Sequence, residues 1–155
     1  MTHSPVPQAN SPLSDVQVSG TLFQLPLRVY IEDTDAGGIV YYVNYLKYME
    51  RARTEWMRSF GFEKPAILDE GKLFVVHSAN VQYLRPALLD DELTATAQMS
   101  KLARSYLIFS QTIERQGEPI CRGDIKVACV DQGTMKPAAI PQAIRDVLKS
   151  SGTAD

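Results

Sequence analysis

The sequence predicts an α+β domain in which a single antiparallel sheet wraps around one long helix. One segment after residue 40 repeats apolar residues at three- and four-residue spacing, as amphipathic helices do. Four later segments are rich in apolar and β-branched residues, and turn-forming residues separate them. The order of one strand, one helix and four strands favours a five-stranded sheet that is covered on one face.

The predicted helix runs for about five turns at 3.6 residues per turn. Its apolar stripe consists of Tyr45, Tyr48, Met49, Ala52, Trp56 and Phe60, and its opposite face carries Lys47, Arg51, Thr54 and Arg58. Gly61 stands where a helix C-cap is expected. The stripe requires an apolar partner surface, which we expect the sheet to provide.

The first strand is predicted from Phe23 to Ile31, ahead of the turn-forming Ala36-Gly37-Gly38. The four later strands are predicted at residues 74–83, 93–100, 106–113 and 120–130. We expect short antiparallel connections between them, at Arg85-Pro86, Leu102-Ala103-Arg104 and Gln116-Gly117-Glu118-Pro119. A last apolar set predicts a short C-terminal helix and consists of Ile140, Ile144, Val147 and Leu148.

Residues 21–150 are expected to form one domain, because 155 residues suit a single core. The polar composition of residues 1–20 predicts a disordered tail, and a second disordered tail is predicted at residues 151–155. The 16 Lys and Arg nearly balance the 18 Asp and Glu, so the composition does not indicate nucleic acid as a partner. No apolar run approaches the roughly 20 residues of a transmembrane helix, and the expected compartment is the cytoplasm.

The two cysteines, Cys121 and Cys129, lie in one predicted strand. At roughly 3.3 Å per residue their Cα atoms would be about 26 Å apart, which is too far for a disulfide bond. The sequence has no CxxC pair and no histidine-rich cluster, so neither a structural zinc site nor another metal or cofactor is expected.

Residues 30–45 read YIEDTDAGGIVYYVNY and resemble the opening motif of the 4-hydroxybenzoyl-CoA thioesterase family. The resemblance continues on the predicted helix at residues 50–55 (ERARTE). A late segment, residues 126–131 (KVACVD) followed by 135–137 (MKP), resembles the YbgC-like, Tol-Pal-associated branch of that family. The resemblance as a whole extends over most of residues 25–148, and its matching segments occur in the expected order. The resemblance implies a hotdog fold and an acyl-CoA thioesterase.

The resemblance implies that Asp35 attacks the thioester or activates water to do so. A buried carboxylate beside a helix N-terminus suits this chemistry, because the first backbone N–H groups of a helix have no partner inside it. A backbone N–H near Tyr42 is the expected oxyanion donor, and Gly37 and Gly38 would let the substrate approach closely. Without the resemblance, Asp33 and Asp35 would be interpreted as turn and cap residues. With it, Asp33 and Glu32 are expected either to support the reacting residue or to be structural.

The sequence departs from the branch at Tyr42, where many YbgC-like relatives carry a histidine. The 4-hydroxybenzoyl-CoA branch has tyrosine at this place, and the backbone donor does not depend on the side chain. We therefore expect activity to survive the difference while substrate preference shifts. An imidazole role is not expected at this position, and the alternative role of the Tyr42 side chain is to line the acyl pocket.

Coenzyme A carries three phosphate groups, so part of its binding surface should be basic. Arg104 and Ser105 match a Lys-Ser pair that contacts the nucleotide in the 4-hydroxybenzoyl-CoA branch. Lys101 and Lys126 are further candidates. For each of these residues taken singly, ordinary solvated charge is the alternative interpretation.

Two other polar features favour structural roles. His77 lies in an alternating strand, and nothing around it resembles the catalytic histidine motifs of dehydratases with the same fold. Glu50 and Arg53 stand three residues apart on the predicted helix, where an ion pair is the default expectation.

The exposed edges of a five-stranded sheet predict a homo-oligomer, and the resemblance favours a tetramer made of two dimers. The sequence leaves the acyl group open among short-chain, aromatic and longer groups. It also leaves open whether the thiol donor is coenzyme A or an acyl carrier protein. The alternatives to a thioesterase are a non-catalytic acyl-CoA or carrier-protein binding module and a structural partner of an envelope complex.

Overall fold

The computed structural model describes residues 15–17, 22–64, 68 and 71–153. In chain order it contains β1 (Asp15–Gln17), β2 (Phe23–Arg28), a 3-10 turn (Ile31–Asp33), α1 (Val43–Arg58), β3 (Lys72–Tyr83), β4 (Glu92–Ala103), β5 (Tyr106–Arg115), β6 (Glu118–Asp131) and α2 (Gln142–Thr153). The predicted α+β class and the element order from β2 to α2 are confirmed.

The strands form one antiparallel sheet with five positions. Strands β4, β5, β6 and β3 follow one another across it, and β1 and β2 lie end to end along the outer side of β4. The expectation of short connections between all four later strands is wrong for β3 and β4, which occupy different parts of the sheet. Residues 84–91 instead cross the ends of β6 and β5, where the Leu84 N–H bonds the Ile120 carbonyl. Packing of the whole sheet, rather than the local turn residues, decides this order.

Helix α1 supplies the centre of the core. Its predicted stripe is buried from Tyr45 to Trp56, whereas Phe60 is half-buried beyond the end of the helix. Trp56 packs edge-on against Phe109 of β5 with ring centroids 5.1 Å apart. Met49 approaches the sheet so closely that a Cβ on Gly123 would lie 3.1 Å from its Sδ atom. Glycine at position 123 is therefore what allows the helix to rest on β6 at this depth.

Several boundaries differ from the prediction. A strand, β1, interrupts the predicted N-terminal tail, and residues 1–14 and 18–20 of that tail lie outside the described residues. Helix α2 continues to Thr153, so only residues 154–155 of the predicted C-terminal tail remain outside the description. The β5–β6 turn needs only Gln116 and Gly117, which both have positive φ, and Pro119 already belongs to β6.

Strand β3 forms one edge of the sheet and pairs only with β6 among the described strands. Its pairing shifts register between Val76 and Ser78, with His77 at the irregularity. Residues 76–80 are exposed along this edge. The structure thus presents an open edge and places His77 on it rather than in a buried site.

Candidate active site

The Asp35 segment is a tight turn held at both ends by backbone hydrogen bonds. Thr34 and Val40 form an isolated antiparallel bridge, and the Asp35 N–H donates to the Ile39 carbonyl over 2.9 Å. Gly38 closes the turn with φ at +82° and donates to the Asp35 carbonyl. That φ disfavours a side chain, which explains the glycine without any appeal to a ligand.

Asp33 ties this turn to the start of helix α1. Its carboxylate accepts the Tyr30 N–H over 2.9 Å, and its carbonyl accepts the Tyr41 N–H and the Asn44 Nδ2 group. Asn44 is itself buried on the first turn of the helix. These bonds give Asp33 a structural role and set where the Asp35 turn lies relative to the helix.

The Asp35 carboxylate is exposed in the single chain. The expectation of a buried carboxylate is therefore wrong for one chain by itself. Its Oδ1 atom accepts the Gly37 N–H over 2.9 Å, which is the one hydrogen bond that the described residues make to it. Gly37 also lies close enough that an added Cβ would stand 3.4 Å from the same oxygen. Asp35 therefore keeps one oxygen for a substrate or a water molecule.

The N-terminus of helix α1 follows seven residues after Asp35. Tyr42 is its N-cap, with helical dihedral angles and no capping side chain. Within the described residues, the Tyr42 N–H donates to no acceptor, whereas the N–H groups of Asn44 and Tyr45 bond back to Tyr41 and Tyr42. An uncapped helix start carries partial positive charge, so this N–H can stabilise a developing oxyanion.

Aromatic side chains surround this helix start. Tyr42 is 56% exposed, and its ring meets the rings of Tyr41 and Tyr83 edge-on, at centroid distances of 5.2 and 5.8 Å. Tyr45 lies beneath them, and its hydroxyl accepts the buried Ala87 N–H. Tyr83 was missed by the sequence reasoning, because no local pattern links the end of β3 to the start of α1.

Tyr48 lies one and a half turns further along the helix and is buried. Burial raises the pKa of its hydroxyl well above the usual range, and the nearby Asp33 carboxylate raises this pKa further. Tyr48 thus stays neutral beneath the turn, as a packing residue rather than a base.

The predicted coenzyme A residues form a separate group. Lys101 and Lys126 both place their Nζ atoms over the ring of Tyr106, at 5.4 and 4.2 Å from its centroid. Arg104 and Ser105 form the adjacent β4–β5 turn, and the Ser105 carbonyl accepts the Cys129 N–H. The structure therefore brings these four residues to one end of the sheet.

The Asp35 turn lies at the opposite end of the sheet. It pairs with residues 87–88, just ahead of the start of β4 at Glu92, whereas Lys101 and Arg104 lie at the far end of the same strand. The eleven steps from Glu92 to Ala103 span about 36 Å at roughly 3.3 Å per residue. One chain does not bring the predicted nucleotide contacts to its own Asp35.

The described residues contain no cluster of three or more His, Cys, Asp or Glu side chains that could hold a metal ion. Both cysteines are free, as their predicted separation requires, and the structure shows that both are buried. No helix in the described part of the chain combines the length and apolar character that spanning a membrane requires.

Comparison with known proteins identifies the same class of protein. The family model of the thioesterase-like superfamily matches residues 29–148. The acyl-CoA thioesterase YbgC of Haemophilus influenzae is 42% identical over 124 residues, which cover 79% of this chain and 91% of the relative. The YbgC acyl-CoA thioester hydrolase of Escherichia coli O6:H1 is 42% identical over 125 residues, covering 80% of this chain and 93% of the relative.

Solved structures agree with the sequence comparison. A probable thioesterase from Bartonella henselae superposes with a TM-score of 0.68 at 31% identity, over 77% of this chain and 98% of the other. The gentisyl-coenzyme A thioesterase BH1999 superposes with a TM-score of 0.71 at 27% identity, over 80% and 98% of the two chains. The predicted fold and enzyme class are thereby confirmed, and the chain belongs to the thioesterase-like superfamily as a YbgC-like thioester hydrolase with the hotdog fold.

Proposed function

We propose that this protein hydrolyses acyl-CoA to the free acid and coenzyme A, with Asp35 as the reacting carboxylate and the Tyr42 N–H as oxyanion donor. One observation carries the proposal. A single short segment presents an exposed carboxylate with one oxygen uncommitted and, seven residues later, a helix start with an uncapped N–H. These are the two groups that attack on a thioester carbonyl requires.

Two routes suit this pair of groups. As a nucleophile, Asp35 adds to the carbonyl carbon and expels the thiolate, and water then cleaves the resulting anhydride. As a general base, Asp35 takes a proton from water, the resulting hydroxide adds to the carbonyl carbon, and the thiolate leaves with a proton. In both routes the carbonyl oxygen becomes negative beside the Tyr42 N–H. The same residues serve either route.

We further propose that the active unit is a dimer of dimers and that coenzyme A bridges chains. Lys101, Arg104, Ser105 and Lys126 lie at the far end of the sheet from Asp35 in one chain. These residues can serve Asp35 only if a second copy brings them to it. The proposal for this site therefore includes Gly37 and Gly38 from one chain and the basic group from another.

The open edge of β3 is the surface at which we propose that two chains pair to form a dimer. Residues 76–80 are exposed there, and an unpaired edge strand readily adds another strand. Twofold antiparallel pairing centred on Ser78 would place Phe74 of one copy opposite Gln82 of the other. Since Tyr83 contacts Tyr42, each active site would then lie beside the Phe74 end of its partner.

The relatives that are named for a substrate differ in the acyl group, so they do not narrow the choice for this protein. One solved relative is named for gentisyl-coenzyme A, and FadM of Escherichia coli, 33% identical over 68% of this chain and 80% of its own, is named a long-chain acyl-CoA thioesterase. The tyrosines around Asp35 suit aromatic as well as aliphatic groups. We propose coenzyme A as the thiol carrier, with acyl carrier protein as the second donor to test. The free thiols of Cys121 and Cys129 suit the reducing cytoplasm.

The deciding experiment measures thiol release from short, long and aromatic acyl-CoAs and from carrier-protein thioesters. Asp35→Asn is expected to lower kcat/KM by about 10²- to 10⁴-fold while folding normally, because the substitution removes the negative charge at nearly constant volume. Asp124→Asn, an exposed carboxylate on β6, is the matched control and should retain activity. Tyr42→Phe should stay within a few-fold of wild type, because the proposed donor belongs to the backbone.

An inactive wild-type protein would overturn the proposal. If it binds acyl-CoA without releasing thiol from any donor, the chain is a binding module instead. If Asp35→Asn keeps full activity, the hydrolase remains but Asp35 is not its reacting group.

A further inference from the structure

A cavity separate from the Asp35 turn lies between the second half of helix α1 and the sheet. Its volume is about 340 Å³. Its walls are mostly apolar and come from Met57 of the helix and from Phe74, Leu107, Phe109 and Val127 of the strands. A cavity of this size and character suits an acyl group, and one cation, Arg53, faces into it.

Arg53 does not form the ion pair expected from its spacing to Glu50. Its Nη1 atom donates instead to the Oε1 atom of Gln111 over 3.0 Å, and the described residues offer it no salt bridge. Gln111 is itself fixed, because its Nε2 atom donates to the Met49 carbonyl of the helix and to the Thr96 carbonyl of β4. The guanidinium is therefore held in place by a neutral partner.

A guanidinium such as that of Arg53 is an unusual group in the lining of a mostly apolar cavity. Burial lowers its pKa, with only the nearby Glu50 carboxylate acting in the opposite direction. A guanidinium has five N–H donors, and one of its donor atoms is committed to Gln111. Arg53 is half-buried and lines the cavity, so a ligand that ends in an oxygen can bind the guanidinium donors that Gln111 does not use, in place of water.

The cavity also lies where a substrate could reach it. Phe74 and Val76 of β3 line it, and both belong to the strand edge proposed to pair with a second copy. In that pairing the Phe74 end of one chain meets the Tyr83 and Tyr42 end of the other. An acyl group whose thioester lies at one chain's Asp35 would point its far end at the other chain's cavity.

We infer that Arg53 determines substrate specificity by donating to a neutral oxygen at the far end of the acyl group, so that ω-hydroxyacyl-CoAs are preferred over unsubstituted acyl-CoAs of equal length. The inference rests on the proposed thioesterase function. A hydroxyl suits the site better than a carboxylate does, because Glu50 also lines the cavity and would repel a second negative charge. A hydroxyl can accept from Arg53 and donate to Glu50 at once.

The test compares kcat/KM for ω-hydroxyacyl-, plain acyl- and dicarboxylic acyl-CoAs over a series of matched chain lengths. Wild type should prefer the hydroxylated substrate by about tenfold or more at the length that reaches Arg53, since a site built to hydrogen-bond an oxygen rejects the analogue without it. Arg53→Met keeps the apolar stem and should bring this ratio close to one. Arg51→Met, an exposed arginine on the same helix, should leave the ratio unchanged.

Each failure has a distinct signature. Equal turnover of plain and hydroxylated substrates by wild type at every length would overturn the role of Arg53 while the thioesterase stands. Preference for the dicarboxylic substrate would overturn the neutral-oxygen assignment. No thiol release from any substrate would overturn the proposed function itself and this inference with it. If Arg53→Met fails to fold, the ratio of kcat/KM for hydroxylated and plain substrates in wild type still tests the inference. Arg53→Gln provides a second variant.

Discussion

Individual residues in this protein show how burial changes their chemistry. Cys121 lies fully buried on β6, near Tyr45 and Tyr83 of the proposed active site, and burial raises the pKa of its thiol to about 11. Asp35, by contrast, reaches solvent and keeps only the Gly37 N–H. The core thus keeps its thiols protonated and unreactive, while the residue proposed to react lies where a substrate can meet it.

The buried thiol predicts how stability depends on pH. The pKa of Cys121 is raised from 9.0 to about 11, so its contribution is fully present below pH 9 and is lost as the pH rises toward 11. A thiol pKa that is higher by two in the folded than in the unfolded protein corresponds to about 2–3 kcal/mol of unfolding free energy. Cys121→Val removes this titration, so its unfolding free energy should fall less steeply than that of wild type over this range.

Chemical denaturation at a series of pH values measures both slopes. The comparison is between slopes, because the absolute stability of Cys121→Val also includes its packing change. Identical slopes for wild type and variant would show that this thiol keeps its ordinary pKa in the folded protein.

At the scale of elements, one buried polar side chain, Gln111, adds a hydrogen-bonded link to the apolar packing of helix α1 on the sheet. Residues 96 and 97 of β4 have no paired partners on β5, and side chains bridge the gap. The Thr96 hydroxyl accepts the Thr112 N–H, and Gln111 bonds the Thr96 carbonyl and the helix together. Gln111 thus joins three elements at the point where the sheet ladder opens.

Gln111→Leu should therefore destabilise the fold more than an ordinary substitution of similar volume. It leaves the buried Thr96 carbonyl and the half-buried Arg53 guanidinium without this partner, at a cost of about 2–4 kcal/mol of unfolding free energy. Gln24→Leu, on the exposed side of β2, should change stability by no more than about 0.5 kcal/mol. Urea denaturation measures the unfolding free energy of both variants. Equal effects of the two substitutions would contradict the bridging role of Gln111.

At the scale of the whole molecule, the two ends of the sheet carry different proposed functions. The Asp35 turn and its tyrosines lie at one end, and the Lys101 and Arg104 group lies at the other. Within a single chain, these two groups are separated by roughly the length of β4. Assembly is therefore part of the proposed chemistry, rather than an addition to it.

Ser78→Lys should break the proposed dimer. In a twofold pairing centred on Ser78, the two introduced lysines would lie opposite each other, and like charges at paired positions destabilise a sheet. Sedimentation should give wild type a mass of four times the 17.2 kDa chain and the variant a smaller mass with reduced thiol release. Gln24→Lys, on the other side of the sheet, is the control and should keep the wild-type mass. A monomeric wild type that is fully active would overturn the shared site.

Local sequence determined a large part of this structure. The 3.6-residue period of Tyr45 to Phe60 placed α1 within two residues of its observed ends, because an amphipathic helix records its buried face in its own sequence. The motif around Asp35 likewise identified the turn, since its glycines and acidic residues form it through bonds between near neighbours. That Cys121 and Cys129 do not bridge each other also followed from their spacing.

Only the tertiary structure decided which distant residues meet. The sequence has no local signal that β3 pairs with β6 instead of β4, that Tyr83 meets Tyr42, or that the basic residues lie far from Asp35. Arg53 shows the reason most clearly, because a neighbour three residues away on the helix was the expected partner and Gln111, 58 residues away, is the observed one. Spacing along a chain encodes the period of each element, whereas contacts between elements depend on how their buried faces pack together.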